Sequence, residues 1–287
     1  MANGLGTRGR LLVTGASGYL GRAVIAAAHA RGWEVHGTRL TAASGGVPLD
    51  VRQAPAVDRL VEQVRPDAVV HTAYLQSGPT MRAVNVDGSG NVAVAARRVG
   101  ARLIHVSTDF VFDGRQACPY REDDRPAPLT DYGHSKLDGE RAVAGCHPEA
   151  LVVRTSLIYG GSVPGPQERM VWDAIAGASA TAFFEDEIRC PIAAPDLAAG
   201  LVELAESSEH GILHLAGPDV LSRLEFARLL ATAAGGDPGV LRSARSADVS
   251  PDRPLDCSLD SSRAYLLLGA PVRGVRDALG LVEPTAL

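Results

Sequence analysis

No two cysteines in this chain are close enough to suggest a metal site or a disulfide framework. Cys118, Cys146, Cys190 and Cys257 are widely spaced and form no CxxC pair, whereas structural zinc and small secreted scaffolds need clustered thiols. Reduced thiols, no metal and a cytoplasmic location are the expectation. No apolar stretch approaches the roughly 18 residues that a membrane span requires. The run LLVTGASG, behind the Gly- and Arg-rich opening MANGLGTRGR, is too short and broken for a signal-peptide core. A basic footprint is missing too. The chain carries 33 acidic residues against 28 Lys and Arg, a net charge of −5, which argues against nucleic acid as a partner. That leaves a local cationic pocket for an anionic small molecule open. There is no internal repeat and no low-complexity tract.

What is present is an alternation of apolar runs and amphipathic stretches over the first 155 residues, the pattern of a parallel sheet flanked by helices. It predicts strands near 10–14, 34–38, 68–72, 102–107 and 151–154, with helices near 20–31, 54–64, 80–99 and 132–144. Gly32 and Gly100 fall where a helix end favours φ > 0, and Pro66 follows another helix. Beyond 155 the alternation loosens. Helices are expected near 167–178, 195–205 and 222–234, the last with Ser222 as N-cap, and a short strand near 211–215. The fold class is α/β, a Rossmann-type doubly wound parallel sheet with a smaller C-terminal substrate lobe. Residues 1–155 form the dinucleotide-binding domain, completed by about 191–220; 156–190 and 221–287 form the lobe.

The stretch RLLVTGASGYLGRAV sets Gly15, Gly18 and Gly21 after a strand and at the start of a helix. The first glycine permits the tight turn, the second lets backbone approach a pyrophosphate, and the third allows close helix–strand packing. Ser17, Tyr19 and Leu20 share that turn, and the helix N-terminus offers N–H groups to phosphates. A cofactor site of this kind that selects NAD ends its second strand with an acidic residue. Here the strand reads EVHGTRL, and Arg39 stands where a guanidinium meets a 2′-phosphate, so NADPH (NADP) is the expected cofactor. Asp50 is placed either to accept from the adenine amino group or to cap a helix, with Val51 beside it. Thr72, Ala73 and Tyr74, after the third strand, supply backbone along which the middle of a cofactor runs.

Tyr132 and Lys136 lie four residues apart in DYGHSKLDGER, one helical turn, so both project from one face. An ammonium beside a phenol favours the phenolate and draws its pKa down from about 10. A phenol tuned this way is a proton donor to a ketone oxygen.

TGASGYLG, NVDGSGN, STDFVFDG, YGHSK and RTSLIYG occur in the order and spacing of the extended short-chain dehydrogenase/reductases. Within them, STDFVFDG, PYREDDRPAPLTDYGHSKLDGE and RPLDCSLD resemble the dTDP-4-dehydrorhamnose reductase family. The resemblance implies catalytic roles for Thr108, which hydrogen-bonds the substrate carbonyl, for Tyr132, the proton donor, and for Lys136, which holds the nicotinamide ribose. It implies an NADPH-dependent reductase of a nucleotide-linked 4-keto-deoxysugar, often as a homodimer. Dehydratases of the superfamily carry Asp-Glu after this threonine; Asp109–Phe110 lacks the glutamate, which favours reduction over elimination.

Three departures bear on the substrate. Phe110 replaces the family's tyrosine, Leu157 replaces its tryptophan, and the loop after HTAY lacks the longer acidic VDxAE segment. Ser107, Phe110 and Leu157 are expected to touch substrate, and Arg189 and Arg253 are candidate ligands for its diphosphate or surface ion pairs. RCPI and PYREDDRPAPL also resemble the regulatory β subunit of methionine adenosyltransferase. An NADP-binding regulatory subunit and a reductase of a non-sugar ketone or imine are the alternatives.

Overall fold

The computed structural model describes residues 8–40, 46–116, 119–249 and 253–281; Cys118 lies outside them. The main sheet contains β1 (Arg10–Thr14), β2 (Glu34–Arg39), β3 (Val47–Pro48), β4 (Ala68–His71), β5 (Arg102–Thr108), β6 (Leu151–Thr155) and a seventh strand, Gly211–His214. The seventh strand forms one edge, followed by β6, β5, β4, β1, β2 and β3. β1 pairs in parallel with β2 on one side and β4 on the other. The chain winds outward to β3, then returns to the far side of β1 with β4. That reversal is a topological switch point, and ligands of open α/β sheets bind at the carboxyl ends of such strands.

The strands read as near-continuous apolar runs because helices cover both faces. Leu11, Leu12 and Val13 of β1 are each at most 1% exposed. Helix α1 (Tyr19–Ala30) follows the glycine turn. Helix α2 (Ala54–Val64) buries Val57, Leu60, Val61 and Val64, the i, i+3, i+4, i+7 set of one helix face. They pack in one core with Leu12, Val69, Leu103 and Val152. Full burial of one such side chain contributes about 1.5–3 kcal/mol, so this seam, more than local propensity, fixes the helix.

Gly32 and Gly100 take the expected left-handed conformation, with φ of 84° and 73°. The single helix expected over 80–99 is two pieces. A π-helical turn, Ala83–Gly88, runs into α3 (Ser89–Arg98). The wide turn places Asn85 against Gly139 of α4 (Asp131–Cys146), where a Cβ would lie 2.3 Å from the Asn85 carbonyl oxygen. Only glycine tolerates that approach.

The chain divides into two compact units. The first comprises the chain up to Thr108, Asp131–Arg154 and Ala198–Leu213; the second comprises Asp109–Thr130, Thr155–Leu197 and the chain from His214 onward. In this division Asp109–Thr130 falls in the second unit, whereas the sequence pattern suggested one unit running on to residue 155. The reason is aromatic packing. Phe112 stacks on Tyr120 with centroids 4.0 Å apart and meets His214 edge-on at 5.8 Å, and the Tyr120 amide donates to Ser258. The second unit has its own core, including Tyr159, Phe183, Phe226 and Leu230. Ser222 caps its helix Arg223–Ala233 in a reciprocal pair with Glu225. Among the described residues, Cys146, Cys190 and Cys257 are free thiols, and no helix is long and apolar enough to cross a membrane.

Candidate active site

The glycine turn is built for close approach. Gly15 has φ of 71°, and a Cβ there would lie 2.8 Å from the Ala73 backbone. A Cβ on Gly21 would lie 2.3 Å from the Gly15 carbonyl oxygen, so the third glycine seats α1 on the turn itself. Gly18 is the N-cap of α1, with no side chain capping the helix and no acidic residue in its first turn. The first N–H groups of a helix have no internal partner, and here the chain leaves that end suited to an anion. Arg22, which the sequence reading passed over, donates to the Ser17 carbonyl at 2.6 Å and adds a positive charge beside the turn. Tyr19 and Leu20 form the first helical positions, Leu20 at 8% exposure.

Arg39 ends β2 and donates to the Gly46 carbonyl at 2.9 Å. Uncapped helix and guanidinium together fit a dinucleotide bearing a 2′-phosphate. Asp50 does not cap a helix. Its carboxylate is gripped by Arg52 at 2.6–3.1 Å and held below its ordinary pKa, chiefly by that side chain. The N-cap of α2 is Gln53. Val51 is buried and its carbonyl accepts from Asn91. The Thr72 hydroxyl is tied to the Thr14 carbonyl at 2.7 Å, while Tyr74 stays half exposed.

Thr108 closes β5 and is 8% exposed; Tyr132 and Lys136 stand on α4. Lys136 is 3% exposed and its ammonium donates to the Val106 carbonyl at 2.7 Å. Burial brings its pKa down to about 8, against an opposing pull from Glu140. Glu140, one turn further along, was missed although the spacing 132, 136, 140 was its signal. It pairs with Arg154 at 2.8 Å, both side chains 4% exposed, and accepts from Ser107. α4 is thereby tied to β5 and β6. Ser107 was expected to touch substrate; its hydroxyl instead serves this clamp, because successive strand residues face opposite sides. Asn85 is a second missed residue. Its amide reaches the Ser135 hydroxyl at 2.9 Å, and Ser135 donates to the Tyr132 carbonyl. His71 and His105 stack 5.2 Å apart in the interior, and both are 1% exposed. Burial first, then the Lys136 charge, pushes His71 down to about 3 and His105 well below its ordinary value.

In the second unit, Arg189 corrects the expectation of a diphosphate ligand or a surface ion pair. It is wholly buried, donates to the carbonyls of Ile188, Leu255 and Pro254 at 2.6–2.9 Å, and lies 5.2 Å from the Phe110 ring. Its guanidinium is also within 4 Å of Asp109 and Glu187. Arg253 pairs with the same Glu187, stacks on Phe184 and keeps 34% of its side chain exposed. Arg223 completes the group. Burial, then the neighbouring Arg189, lowers its pKa to about 10, and it donates to Gln167 at 3.1 Å. Three guanidiniums thus meet two carboxylates. Leu157 is partly buried against the second core. Among the described residues, no His, Cys, Asp and Glu cluster is arranged for a metal.

Comparison with known proteins gives a consistent picture. The profile of the RmlD substrate binding domain matches residues 9–283. A dTDP-4-dehydrorhamnose reductase of Mycobacterium tuberculosis is 35% identical, covering 94% of this chain and 91% of its own. Methionine adenosyltransferase 2 subunit beta of Pongo abelii is 34% identical over 94% of this chain and 87% of its own. A crystal structure of dTDP-4-dehydrorhamnose reductase from Bacillus anthracis, in complex with NADP, superposes with a TM-score of 0.85 at 24% identity, covering 96% of this chain and 98% of that one.

Proposed function

The chain belongs to the RmlD substrate-binding domain family, and from that membership we propose that it is an NADPH-dependent reductase of a nucleotide-linked 4-keto-deoxysugar, of the dTDP-4-dehydrorhamnose type. The observation that carries this reading is Lys136, a buried ammonium brought down to about 8, one helical turn from Tyr132. A pure binding module has no use for such a cation beside a phenol.

The glycine turn would hold the cofactor's pyrophosphate, Arg39 its 2′-phosphate and Lys136 its nicotinamide ribose. When bound, NADPH supplies the hydride that reduces the carbonyl carbon. Tyr132 gives its phenolic proton to the oxygen as it becomes an alkoxide, and Thr108 hydrogen-bonds that same oxygen. The charge of Lys136 eases loss of the tyrosine proton. Phe110, where elimination enzymes carry glutamate, leaves the chain without the base for dehydration. Arg253 and Arg223 would bind the substrate diphosphate by charge-assisted hydrogen bonds. A homodimer working in the cytoplasm completes the reading.

The test is NADPH consumption with a panel of dTDP-4-keto sugars and simple ketones. Turnover on a keto sugar is expected, and Arg39→Ala should erode the preference for NADPH over NADH. Failure on every ketone would sink the reductase reading. The similarity to methionine adenosyltransferase 2 subunit beta favours one alternative, an NADP-binding regulatory subunit. Co-purification with a synthetase and no turnover would support it.

A further inference from the structure

Tyr74 is the feature that the reduction chemistry leaves without a task for its side chain. It is a large aromatic residue at 51% exposure, in a unit whose other aromatic and apolar groups largely pack inward. The ring centroid lies 6.1 Å from that of Tyr132, tilted by 52°, and the Lys136 ammonium is 5.9 Å from the Tyr74 centroid. Both side chains of α4 therefore lie near the Tyr74 ring.

Its backbone is held on both sides. Upstream, the Thr72 amide and hydroxyl donate to the Thr14 carbonyl, and Ala73 is in close contact with Gly15. Downstream, the Leu75 amide donates to the Asn85 side chain at 2.9 Å, and the Asn85 amide returns a bond to the Leu75 carbonyl at 2.8 Å. The same Asn85 amide reaches Ser135, which donates to the Tyr132 carbonyl. One buried asparagine thus fixes the Tyr74 segment and the Tyr132 helix together. An exposed aromatic ring on a fixed backbone offers contact area at small entropic cost.

Resting on the reductase reading above, we infer that Tyr74 is a specificity-determining residue whose ring is a fixed wall beside Tyr132 and Lys136, against which the C–H face of a cyclic deoxysugar ketone packs. A flat aromatic face suits the apolar side of a hexose ring and its 6-methyl group. An acyclic ketone gains little from it.

The experiment compares the wild-type chain with Tyr74→Phe and Tyr74→Ala, using NADPH with a dTDP-4-keto-6-deoxyhexose and with an acyclic ketone. NADPH affinity, from fluorescence titration, reports both folding and the cofactor site. Tyr74→Ala is expected to raise the sugar KM about tenfold, the scale of an aromatic packing contact. NADPH affinity and the acyclic ketone should stay within about threefold, and Tyr74→Phe should track wild type. An unchanged sugar KM in Tyr74→Ala overturns the inference, as does a rise matched by an equal loss of NADPH affinity. If the wild-type chain reduces no ketone, the reductase reading falls and takes this one with it.

Discussion

The two units handle positive charge in opposite ways. In the first, Lys136 is a single buried ammonium brought down to about 8, with the nearby His71 and His105 held neutral. In the second, Arg189, Arg223 and Arg253 crowd around Glu187 and Asp109 and push on one another. A lysine loses its proton readily when buried, whereas a guanidinium keeps its charge and presents a rigid fork of donors. The first arrangement suits proton chemistry, which needs a cation near the edge of titration. The second suits grip on an anion, which needs a charge that does not titrate. Changes in the first unit should therefore act on turnover and on pH dependence, and changes in the second on substrate affinity.

The largest effect that checks this division is Tyr132→Phe. Removing the proposed proton donor should lower kcat by about 10²–10⁴-fold, the usual worth of general acid catalysis. NADPH affinity, measured separately, should stay near wild type. Wild-type turnover from this variant would remove Tyr132 from the chemistry.

Arg253→Ala is the counterpart in the second unit. A hydrogen bond to a charged group is worth about 1.5–3 kcal/mol, so the KM for the nucleotide sugar should rise at least tenfold. The value of kcat and the shape of its pH profile should be nearly untouched. If kcat falls while KM holds, the two units do not divide the work as argued.

The histidine stack gives a smaller effect, on stability. Folded His71 and His105 titrate far below the value of about 6.5 expected of the unfolded chain. Between those values the unfolded chain binds the extra protons, so their contribution is present above about pH 6.5 and is lost as pH falls toward the folded values. At pH 5 that amounts to about 2 kcal/mol for His71, and His105 acts in the same direction. Both His105 ring nitrogens lack a hydrogen-bond partner, so His105→Leu should cost little at neutral pH. Urea unfolding at pH 7 and pH 5 should show a shallower acid loss for the variant. Parallel losses in both proteins would mean that His105 does not titrate.

The same contrast explains what could be read from sequence. Gly15, Gly18 and Gly21, and the pair Tyr132 and Lys136, each lie within one turn or one helix, so spacing alone places them together. Glu140 needed the knowledge that Arg154 on β6 and Ser107 on β5 meet α4, contacts 14 and 33 residues apart. Asn85 needed the π-helical turn, which an unbroken helix over 80–99 does not supply. The arginines were hardest. Arg189 and Arg253 drew the same expectation from sequence, yet one is sealed beneath Phe110 and the other keeps a third of its side chain in solvent. Burial is a property of segments 66 residues apart meeting, and no short motif records it. The break after Thr108 was illegible for the same reason, since His214 and Ser258, which meet Phe112 and Tyr120, lie beyond residue 213.

The finest test concerns Lys136 itself. Its folded pKa lies below the ordinary lysine value, so the ammonium is present at neutral pH and is lost as pH rises through about 8. With it would go the charge proposed to hold the ribose and assist Tyr132, so kcat/KM for ketone reduction should fall through that region. Glu140 opposes the effect of burial. Glu140→Gln removes the negative charge and should move this alkaline limb to lower pH, a few-fold loss at pH 8 that shrinks toward pH 6.5. The substitution also removes the charge that faces a buried Arg154, which is destabilising, so NADPH affinity at pH 6.5 must be shown intact first. Ser107→Ala removes only one hydrogen bond from the same carboxylate and keeps its charge; it should leave the limb where it is. A limb unmoved in Glu140→Gln, or moved equally in Ser107→Ala, would show that Glu140 acts only as a clamp between strands and helix. A limb that shifts in the first variant alone assigns Glu140 the electrostatic support of Lys136.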